Sequence, residues 1–406
     1  MKIVIAGGGT GGHIYPGIAI AEGLLAADIS NNVVFIGAEG GIENEVVPKE
    51  RFSLKLIRSR GIARKFSFGF ISSIASAVHG FFQARKILKD FRPDVVVSTG
   101  SYVGFPVVLA AATLRMPVLI HEQNTIPGLV NRISQRFARR VAVSFGQSVR
   151  HFNARKVIVS GNPVREKVAK AVRSVSRQNL GLDQKRKTLL ILGGSQGARR
   201  INDVVTQLID YFASEGIQVI HVTGRRDYDW VLSKTENRVL DIEGQIPAVR
   251  GRKKFTTITR YKLYRPVPYM YNIWDGLASA DLVISRAGAT ALAEIACKGI
   301  PSVIVPFPYS SEGHQDANAK VFEDSGAAVV IKDGSLTAEN LKNTMSSLFA
   351  DAEKMRSMAE AAGKHSSTGS VARIVQEIYG IAGLSVPRPR KKVRRSRASA
   401  RRDGRR

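Results

Sequence analysis

Short, uninterrupted apolar runs recur along this chain, separated by longer stretches whose apolar residues fall at helical spacing. Strand candidates are Ile3–Ala6, Val33–Ile36, Asp94–Ser98, Val118–Ile120, Val141–Val143 and Val157–Val159. After residue 185 the series restarts with Thr188–Leu192, Gln218–Val222, Leu282–Ile284 and Ser302–Val305. Runs that are apolar throughout, rather than alternating, fit strands buried on both faces. Helical stretches between them predict βαβ units and parallel sheets, the α/β class. Gly161-Asn162-Pro163 breaks the chain, and Arg173–Lys187 is poor in apolar residues. The expected organisation is two Rossmann-like α/β domains facing a cleft, residues 1–163 and 164–369. A C-terminal helix, Ser370–Ile381, falls within residues 370–386. A basic tail, residues 387–406, is too polar to bury a core and is read as disordered.

Composition narrows the class. With 406 residues, 44% of them hydrophobic and 23% charged, the body is a folded chain long enough for two cores. A single cysteine, Cys297, excludes a disulfide framework and any four-cysteine metal site, so a reducing cytosol is expected. The start, a strand running into a turn, lacks the pattern of a signal peptide. Phe66–Ala84 contains no Lys, Arg, Asp or Glu, but four Ser, two Gly and His79 dilute it below a membrane-spanning segment. The net charge of +28 points to an anionic partner, whether nucleic acid, anionic lipid or a phosphorylated substrate. Its distribution matters. The 19 residues 388–406 carry +10, residues 1–163 carry +11 and residues 164–387 carry +7.

The candidate chemistry lies in loops that follow strands. Gly7-Gly8-Gly9-Thr10-Gly11-Gly12-His13 contains Gly-x-Gly-x-x-Gly between a strand and a helix expected over Gly17–Leu25. Such a loop lets backbone N–H groups approach an anion at a helix N-terminus. Taken alone it reads as a dinucleotide site, with Glu39 as the ribose-binding acid. His13 shifts that reading, because group transfer to a hydroxyl needs a base that titrates near operating pH, whereas a nicotinamide site does not. A capping histidine is the bland alternative. The second loop, Gly193-Gly194-Ser195-Gln196-Gly197-Ala198, is another anion cradle. It lacks the Lys and spacing of a nucleotide-hydrolysing P-loop. A third turn, Ser285-Arg286-Ala287-Gly288-Ala289-Thr290, opens a helix over Ala291–Cys297 in which Glu294 is placed to accept two vicinal hydroxyls.

Polar groups follow other strands as well: Thr99-Gly100-Ser101-Tyr102, His121-Glu122-Gln123-Asn124 and Gly313-His314-Gln315-Asp316-Ala317-Asn318. In open α/β sheets, ligands bind at such carboxyl ends. Arg165, after Gly161-Asn162-Pro163-Val164, is placed to reach a phosphate. The seven histidines show no metal-ligand spacing, and no acidic pair is read as a holder of a divalent ion.

With these motifs in order, the chain resembles the MurG family, the UDP-N-acetylglucosamine:N-acetylmuramyl-(pentapeptide)-pyrophosphoryl-undecaprenol N-acetylglucosamine transferases of peptidoglycan synthesis. The resemblance rests on GGGTGGHIYPG (7–17), HEQN (121–124), GNPVR (161–165), GGSQGA (193–198) and SRAGATALAEIA (285–296), and it runs to about residue 380. It implies the glycosyltransferase B fold, UDP-N-acetylglucosamine in the second half and lipid I at the first. It implies inverting transfer to a C4 hydroxyl, with no cofactor and no essential active-site metal. The catalytic positions it implies are His13 as general base and Glu122 as a second candidate. Donor contacts would be Thr10, Gly11, Gly12, Asn124, Arg165, Ser195, Gln196, Ala289, Thr290, Glu294 and Gln315. Acceptor contacts would be Thr10, His13, Tyr102 and Asn124. The segment between Gly224 and Tyr264, with its basic run Arg250–Lys254, and the arginine-rich tail depart from the family pattern.

A prenyl-linked acceptor requires the enzyme to meet the cytoplasmic face of the membrane as a peripheral protein. Phe66, Phe68, Phe70, Ile71, Phe81 and Phe82 form an apolar segment with cations on both flanks, as an interfacial contact would. Gln123–Arg165 contains no acid, which leaves Arg132, Arg136, Arg139 and Arg140 as a second basic surface. The partners implied are lipid I, the anionic membrane surface and other cell-wall synthesis proteins. A related transferase, a sugar-nucleotide epimerase and a basic nucleic-acid-binding protein are the alternatives. The last lacks any helix-turn-helix, zinc-finger or aromatic RNA-binding signature. If the tail serves only attachment, deleting residues 387–406 leaves turnover of a soluble acceptor within about twofold and weakens binding to anionic vesicles by about 1 kcal/mol for each cation that reaches the surface.

Overall fold

The computed structural model describes residues 1–59, 68–194, 197–235 and 263–387, with the backbone alone for residues 68–74. Ser195, Gln196, Phe66, the Arg250–Lys254 run and the tail from residue 388 therefore lie outside the described residues. So do the side chains of Phe68, Phe70 and Ile71.

Two parallel sheets carry the fold. The first contains β1 (Lys2–Ala6), β2 (Asn32–Ala38), β3 (Ser53–Ile57), β4 (Val95–Ser98), β5 (Val118–Glu122), β6 (Arg140–Val143) and β7 (Val157–Val159), in the order β3-β2-β1-β4-β5-β6-β7. The second contains β8 (Thr188–Leu192), β9 (Gln218–Val222), β10 (Tyr264–Val267), β11 (Leu282–Ser285), β12 (Ser302–Ile304) and β13 (Ala328–Val330), in the order β10-β9-β8-β11-β12-β13. Every strand pair is parallel. The continuous apolar runs explain this. Val95, Val96 and Val97 are wholly buried, as are Leu189, Leu190 and Ile191, because helices cover both faces. In each sheet the strand order reverses beside the first strand, at β1/β4 and at β8/β11. The crevice that binds ligands in open sheets opens at that point. The two long glycine loops follow β1 and β8.

The expected α/β class is borne out, and the ten foreseen strands are present. Three strands were not foreseen. β3 (Ser53–Ile57) is an edge strand with Ser53, Lys55 and Leu56 exposed, so its pattern is too polar to read as buried. β10 contains Pro266 and follows residues outside the description, and β13 has only three residues. The first helix spans Gly11–Ala27, starting six residues before the expected Gly17 and running through Pro16. Pro16 lies past the first turn and cannot donate to the Gly12 carbonyl, which accepts from Thr290 Oγ1 at 3.1 Å instead. The helix Phe68–Phe91 holds the apolar segment. Phe82 and Val78 are exposed, while Phe81 packs against the first half's core. Among the described residues, no helix is long and apolar enough to cross a membrane.

The last helix, Ser370–Ile381, lies where the sequence placed it, but its apolar face joins the core of the first half. Ile374, Val375, Ile378 and Tyr379 pack with Ile18, Leu24 and the first strands. Asn31 Nδ2 donates to the Tyr379 hydroxyl at 2.9 Å, and Arg140 pairs with Glu377 at 3.2 Å. The chain therefore leaves the first half at Gly161-Asn162-Pro163 and comes back to it at Ser370.

A buried polar network braces the second half. On β9, His221 has its Nε2 2.9 Å from Asn202 Oδ1 and its Nδ1 2.6 Å from the Tyr264 hydroxyl. Asn202 Nδ2 donates to the Thr223 carbonyl and to Asp227 Oδ2, both at 2.9 Å. The amide oxygen must then accept from His221 Nε2–H, and Nδ1 accepts from Tyr264, so the ring is neutral. Burial depresses His221 to about 3 and His121, in the first half, to about 4. In the unfolded chain both titrate near the ordinary 6.5 and bind the extra protons, so stability is lost as pH falls below 6.5. Between pH 6.5 and 5 each histidine is expected to remove on the order of 1–2 kcal/mol. Urea midpoints measured across that range, with a His221→Gln variant flattening part of the slope, check this.

Candidate active site

The carboxyl ends of both sheets border one cleft of about 630 Å³ between the halves. Thr10, Gly11, Gly12, His13 and Asn124 enter it from the first half, and Gly193, Gly194, Ala289, Thr290, Glu294 and Gln315 from the second. Arg165 lines it from the junction. The cleft is bridged at several points. Thr290 Oγ1 donates to the Gly12 carbonyl at 3.1 Å, and Asn318 Nδ2 donates to Asn124 Oδ1 at 3.1 Å. Asn318 Oδ1 also accepts from the Thr125 N–H at 2.9 Å.

The first glycine loop differs from expectation. The cradle formed by Gly8, Gly9 and Gly41 holds the Glu43 carboxylate of the protein itself. Gly9 N–H donates to Glu43 Oε2 at 2.9 Å and Ala38 N–H to Oε1 at 2.8 Å. Glu43 is completely buried, and a Cβ on Gly8 or Gly41 would collide with its carboxylate. The glycines here make room for an internal carboxylate. Nothing local in the sequence links Gly9 to an acid 34 residues away.

His13 sits in the first turn of that helix. Its Nδ1 lies 2.8 Å from the Thr99 carbonyl, which can only accept, so Nδ1 carries the proton and Nε2 presents a lone pair. Burial lowers its pKa and His314 lowers it further, partly opposed by the Thr99 carbonyl, the Gln123 side chain and Glu43. The ring is therefore neutral at neutral pH, the protonation state of a base.

Glu122, the other candidate base, is placed differently. Its Oε1 accepts from Asn124 N–H and Asn124 Nδ2 at 2.9 and 3.1 Å, and its Oε2 from Asn131 Nδ2 and Gly128 N–H at 2.8 and 3.3 Å. Burial raises its pKa, while these donors pull it down. It is 1% exposed and does not line the cleft, so four donors fix it as the post around which the loop after β5 is shaped. Tyr102, expected at the acceptor, also lies outside the cleft. Its ring rests beside Gly9, and its carbonyl accepts from Ser59 Oγ at 3.0 Å.

Arg165 does not stand free. Its Nη2 and Nε donate to Glu294 Oε1 at 2.7 and 3.3 Å, and its guanidinium lies 4.0 Å over the Tyr15 ring. Arg165 is 2% and Glu294 6% exposed. Both bonds fall on Oε1, which leaves Oε2 able to accept from a ligand hydroxyl. Tyr15 and Tyr269 bring their hydroxyls together across the cleft above this pair, and burial raises both pKa values. Gln315 Oε1 accepts from Phe307 N–H at 3.0 Å, so its Nε2 is the group available to a ligand. Sequence reasoning passed over Tyr269 because it follows the unforeseen β10. It gave Tyr15 no role, because the residue lies ahead of the helix expected from Gly17 and stands in the motif only as a neighbour of His13.

Among the described residues, no three His, Cys, Asp or Glu side chains are grouped as a metal site. The sequence reading also overlooked an Asp-x-Asp pair, Asp227-Tyr228-Asp229. Asp227 is buried, accepts from Asn202 and lies 3.5 Å from Arg199, so it braces the second glycine loop.

Two doubly wound domains, joined by a cleft that presents a neutral imidazole from one side and a helix N-terminus with a buried carboxylate from the other, have the architecture of a glycosyltransferase of the B type. The chain matches the "Glycosyltransferase family 28 N-terminal domain" over residues 3–143 and the "Glycosyltransferase family 28 C-terminal domain" over residues 188–377. It belongs to glycosyltransferase family 28 and, within it, to the MurG family. A relative from Halothermothrix orenii, named UDP-N-acetylglucosamine--N-acetylmuramyl-(pentapeptide) pyrophosphoryl-undecaprenol N-acetylglucosamine transferase, is 40% identical over 89% of this chain and 94% of its own length. The protein of the same name from Caldanaerobacter subterraneus subsp. tengcongensis is 40% identical over 94% of this chain and 100% of its own. The crystal structure of Acinetobacter baumannii MurG superposes with a TM-score of 0.65 at 27% identity, covering 93% of this chain and 98% of that one. A putative UDP-N-acetylglucosamine 2-epimerase from Listeria monocytogenes reaches the same TM-score at 14% identity over 93% of this chain and 96% of its own, a likeness of fold alone.

Removing one partner of a buried ion pair strands the other charge. Glu294→Ala is therefore expected to cost about 3–5 kcal/mol of stability, read from the urea midpoint. Glu294→Gln, which keeps an acceptor for Arg165, is expected to cost less.

Proposed function

We propose that this chain transfers N-acetylglucosamine from UDP-N-acetylglucosamine to the C4 hydroxyl of lipid-linked N-acetylmuramyl-pentapeptide, converting lipid I to lipid II with inversion at the anomeric carbon. The observation that carries the reading is the single cleft in which His13 from one half faces Ala289, Thr290 and Glu294 from the other. The second half takes the donor. Glu294 Oε2 accepts from the ribose, and the start of the helix Ala289–Lys298 faces the diphosphate with its N–H groups and dipole. By the sequence resemblance alone, Ser195 and Gln196 are assigned to the diphosphate and sugar. Gln315 offers its amide to the sugar hydroxyls.

The first half takes the acceptor. Thr10 and Asn124 border its approach, and Tyr102 lines the outer side of the same loop. The C4 hydroxyl gives its proton to His13 Nε2 as its oxygen forms the bond to C1. The bond from C1 to the β-phosphate oxygen breaks, and its electron pair leaves with UDP. An attack from the face opposite the leaving group inverts the centre. Charge developing on the leaving diphosphate is met by the helix start and Arg165. This assigns leaving-group stabilisation to the protein, with no cofactor and no essential ion.

Membrane contact is assigned to the exposed side of the helix Phe68–Phe91, where Phe82 and Val78 face outward beside Arg85, Lys86 and Lys89. Phe66, Phe68, Phe70 and Ile71 are assigned to the same contact from the sequence alone. The protein then works as a peripheral protein on the cytoplasmic face, where the lipid-linked acceptor presents its head group.

UDP release should require both UDP-N-acetylglucosamine and lipid I and should persist in excess chelator. His13→Ala should lower kcat by about 10²–10⁴-fold with the donor KM little changed. Release without acceptor would favour an epimerase. Full turnover of His13→Ala would remove His13 as the base. The acidic limb of the pH–rate profile is expected below 6.5, because only the neutral ring accepts the proton.

A further inference from the structure

Behind His13 a continuous chain of hydrogen bonds runs to the junction between the halves. The Thr99 carbonyl that takes His13 Nδ1 at 2.8 Å also takes Gln123 Nε2 at 2.9 Å. Gln123 Nε2 lies 3.1 Å from His121 Nδ1, and His121 Nε2 lies 3.3 Å from the Gly161 carbonyl. Carbonyls only accept, so the direction of the chain is determined. His121 donates from Nε2 to Gly161, and its bare Nδ1 accepts from Gln123. The Gln123 amide nitrogen thus uses one N–H on Thr99 and directs the other at His121, whose Nδ1 and carbonyl lie 3.1 and 3.4 Å away, and these acceptors fix which way the amide faces. Its remaining atom, Oε1, is buried and has no protein partner, although the side chain is only 2% exposed. An unpaired buried acceptor costs about 1–3 kcal/mol, so it calls for an explanation. Gln123 lines the same cleft as His13.

We propose that Gln123 is a positioning residue for the transfer. It holds the Thr99 carbonyl that fixes the Nδ1–H tautomer of His13, and it offers Oε1 to the imidazolium that forms when Nε2 takes the C4 hydroxyl proton. The inference rests on His13 being the base. It adds that the base is oriented from the interdomain junction, through Gly161, His121, Gln123 and Thr99 in turn. His121 stays neutral throughout the working range because burial holds it to about 4, so its Nδ1 keeps accepting and the amide keeps its direction. The titratable groups around His13 are Glu43, His121 and His314. None of the three makes a hydrogen bond to the ring among the described residues.

The test uses the full chain, UDP-N-acetylglucosamine and a water-soluble lipid I analogue. Gln123→Leu should lower kcat about 10–100-fold, with the donor KM within about twofold, and move the acidic limb of kcat to lower pH. Gln123→Glu keeps the shape and adds a carboxylate that favours the imidazolium, so its limb should move to higher pH. Ring ¹⁵N spectra, with His13 assigned by comparison with His13→Gln, should show Nδ1–H alone in the wild type and a tautomer mixture in Gln123→Leu. A purely structural role would move neither the limb nor the tautomer. If Gln123→Leu does not fold, the limb of Gln123→Glu decides. Variants with wild-type kcat and an unmoved limb overturn the proposal, as does a raised donor KM at unchanged kcat. Full turnover by His13→Ala would instead remove the base assignment itself, whatever the Gln123 variants do.

Discussion

A parallel strand can be followed only by a connection that crosses back over the sheet. That constraint gathers every strand-to-helix loop of a sheet at one edge, and here two such edges face each other. All the chemistry follows from it. The imidazole of His13, the carboxylate of Glu294, the amide of Gln315 and the guanidinium of Arg165 come from distant parts of the sequence, yet they share one chamber because each follows a strand or starts a helix at that edge. Helices cover the faces and leave the edge open, so the same rule that builds the cores also leaves polar groups at the cleft.

Within the chamber, carbonyls and carboxylates decide what each titratable group does. His13 keeps its lone pair on Nε2 because Thr99 occupies its Nδ1. Glu122 is held in place, because four donors surround its carboxylate. Arg165 serves Glu294 before it can serve any phosphate, since the two are buried together. Each assignment depends on which partner a side chain already has.

The sequence carried the class of fold and the set of loops well. Central strands such as β4 and β8 are legible because burial on both faces forces apolar residues at every position. β3 is not legible, since this edge strand exposes Ser53, Lys55 and Leu56. The helix starting at Gly11 was misplaced because glycines and Pro16 argue locally against a helix that tertiary packing nonetheless imposes. At the site, His13, Glu294 and Gln315 could be found because their types suit the chemistry and they follow strands. Partners could not be found this way. Glu43 inside the first glycine loop, Arg165 on Glu294 and Tyr269 against Tyr15 are contacts across 34, 129 and 254 residues, and no local pattern encodes such distances.

The return of the final helix to the first half has a mechanical meaning. The chain crosses between the halves twice, and the two crossings lie side by side. Ser370 Oγ donates to the Asn162 carbonyl at 3.1 Å, and Ser367 packs against Gly161. Gly161 and Gly369 both hold positive φ, +80° and +85°, where a side chain would be strained. The second half is thus an insert hung from a paired strap, not a bead on a single string. A paired strap bends readily in one plane and resists twisting, so it holds the two edges of the cleft in register.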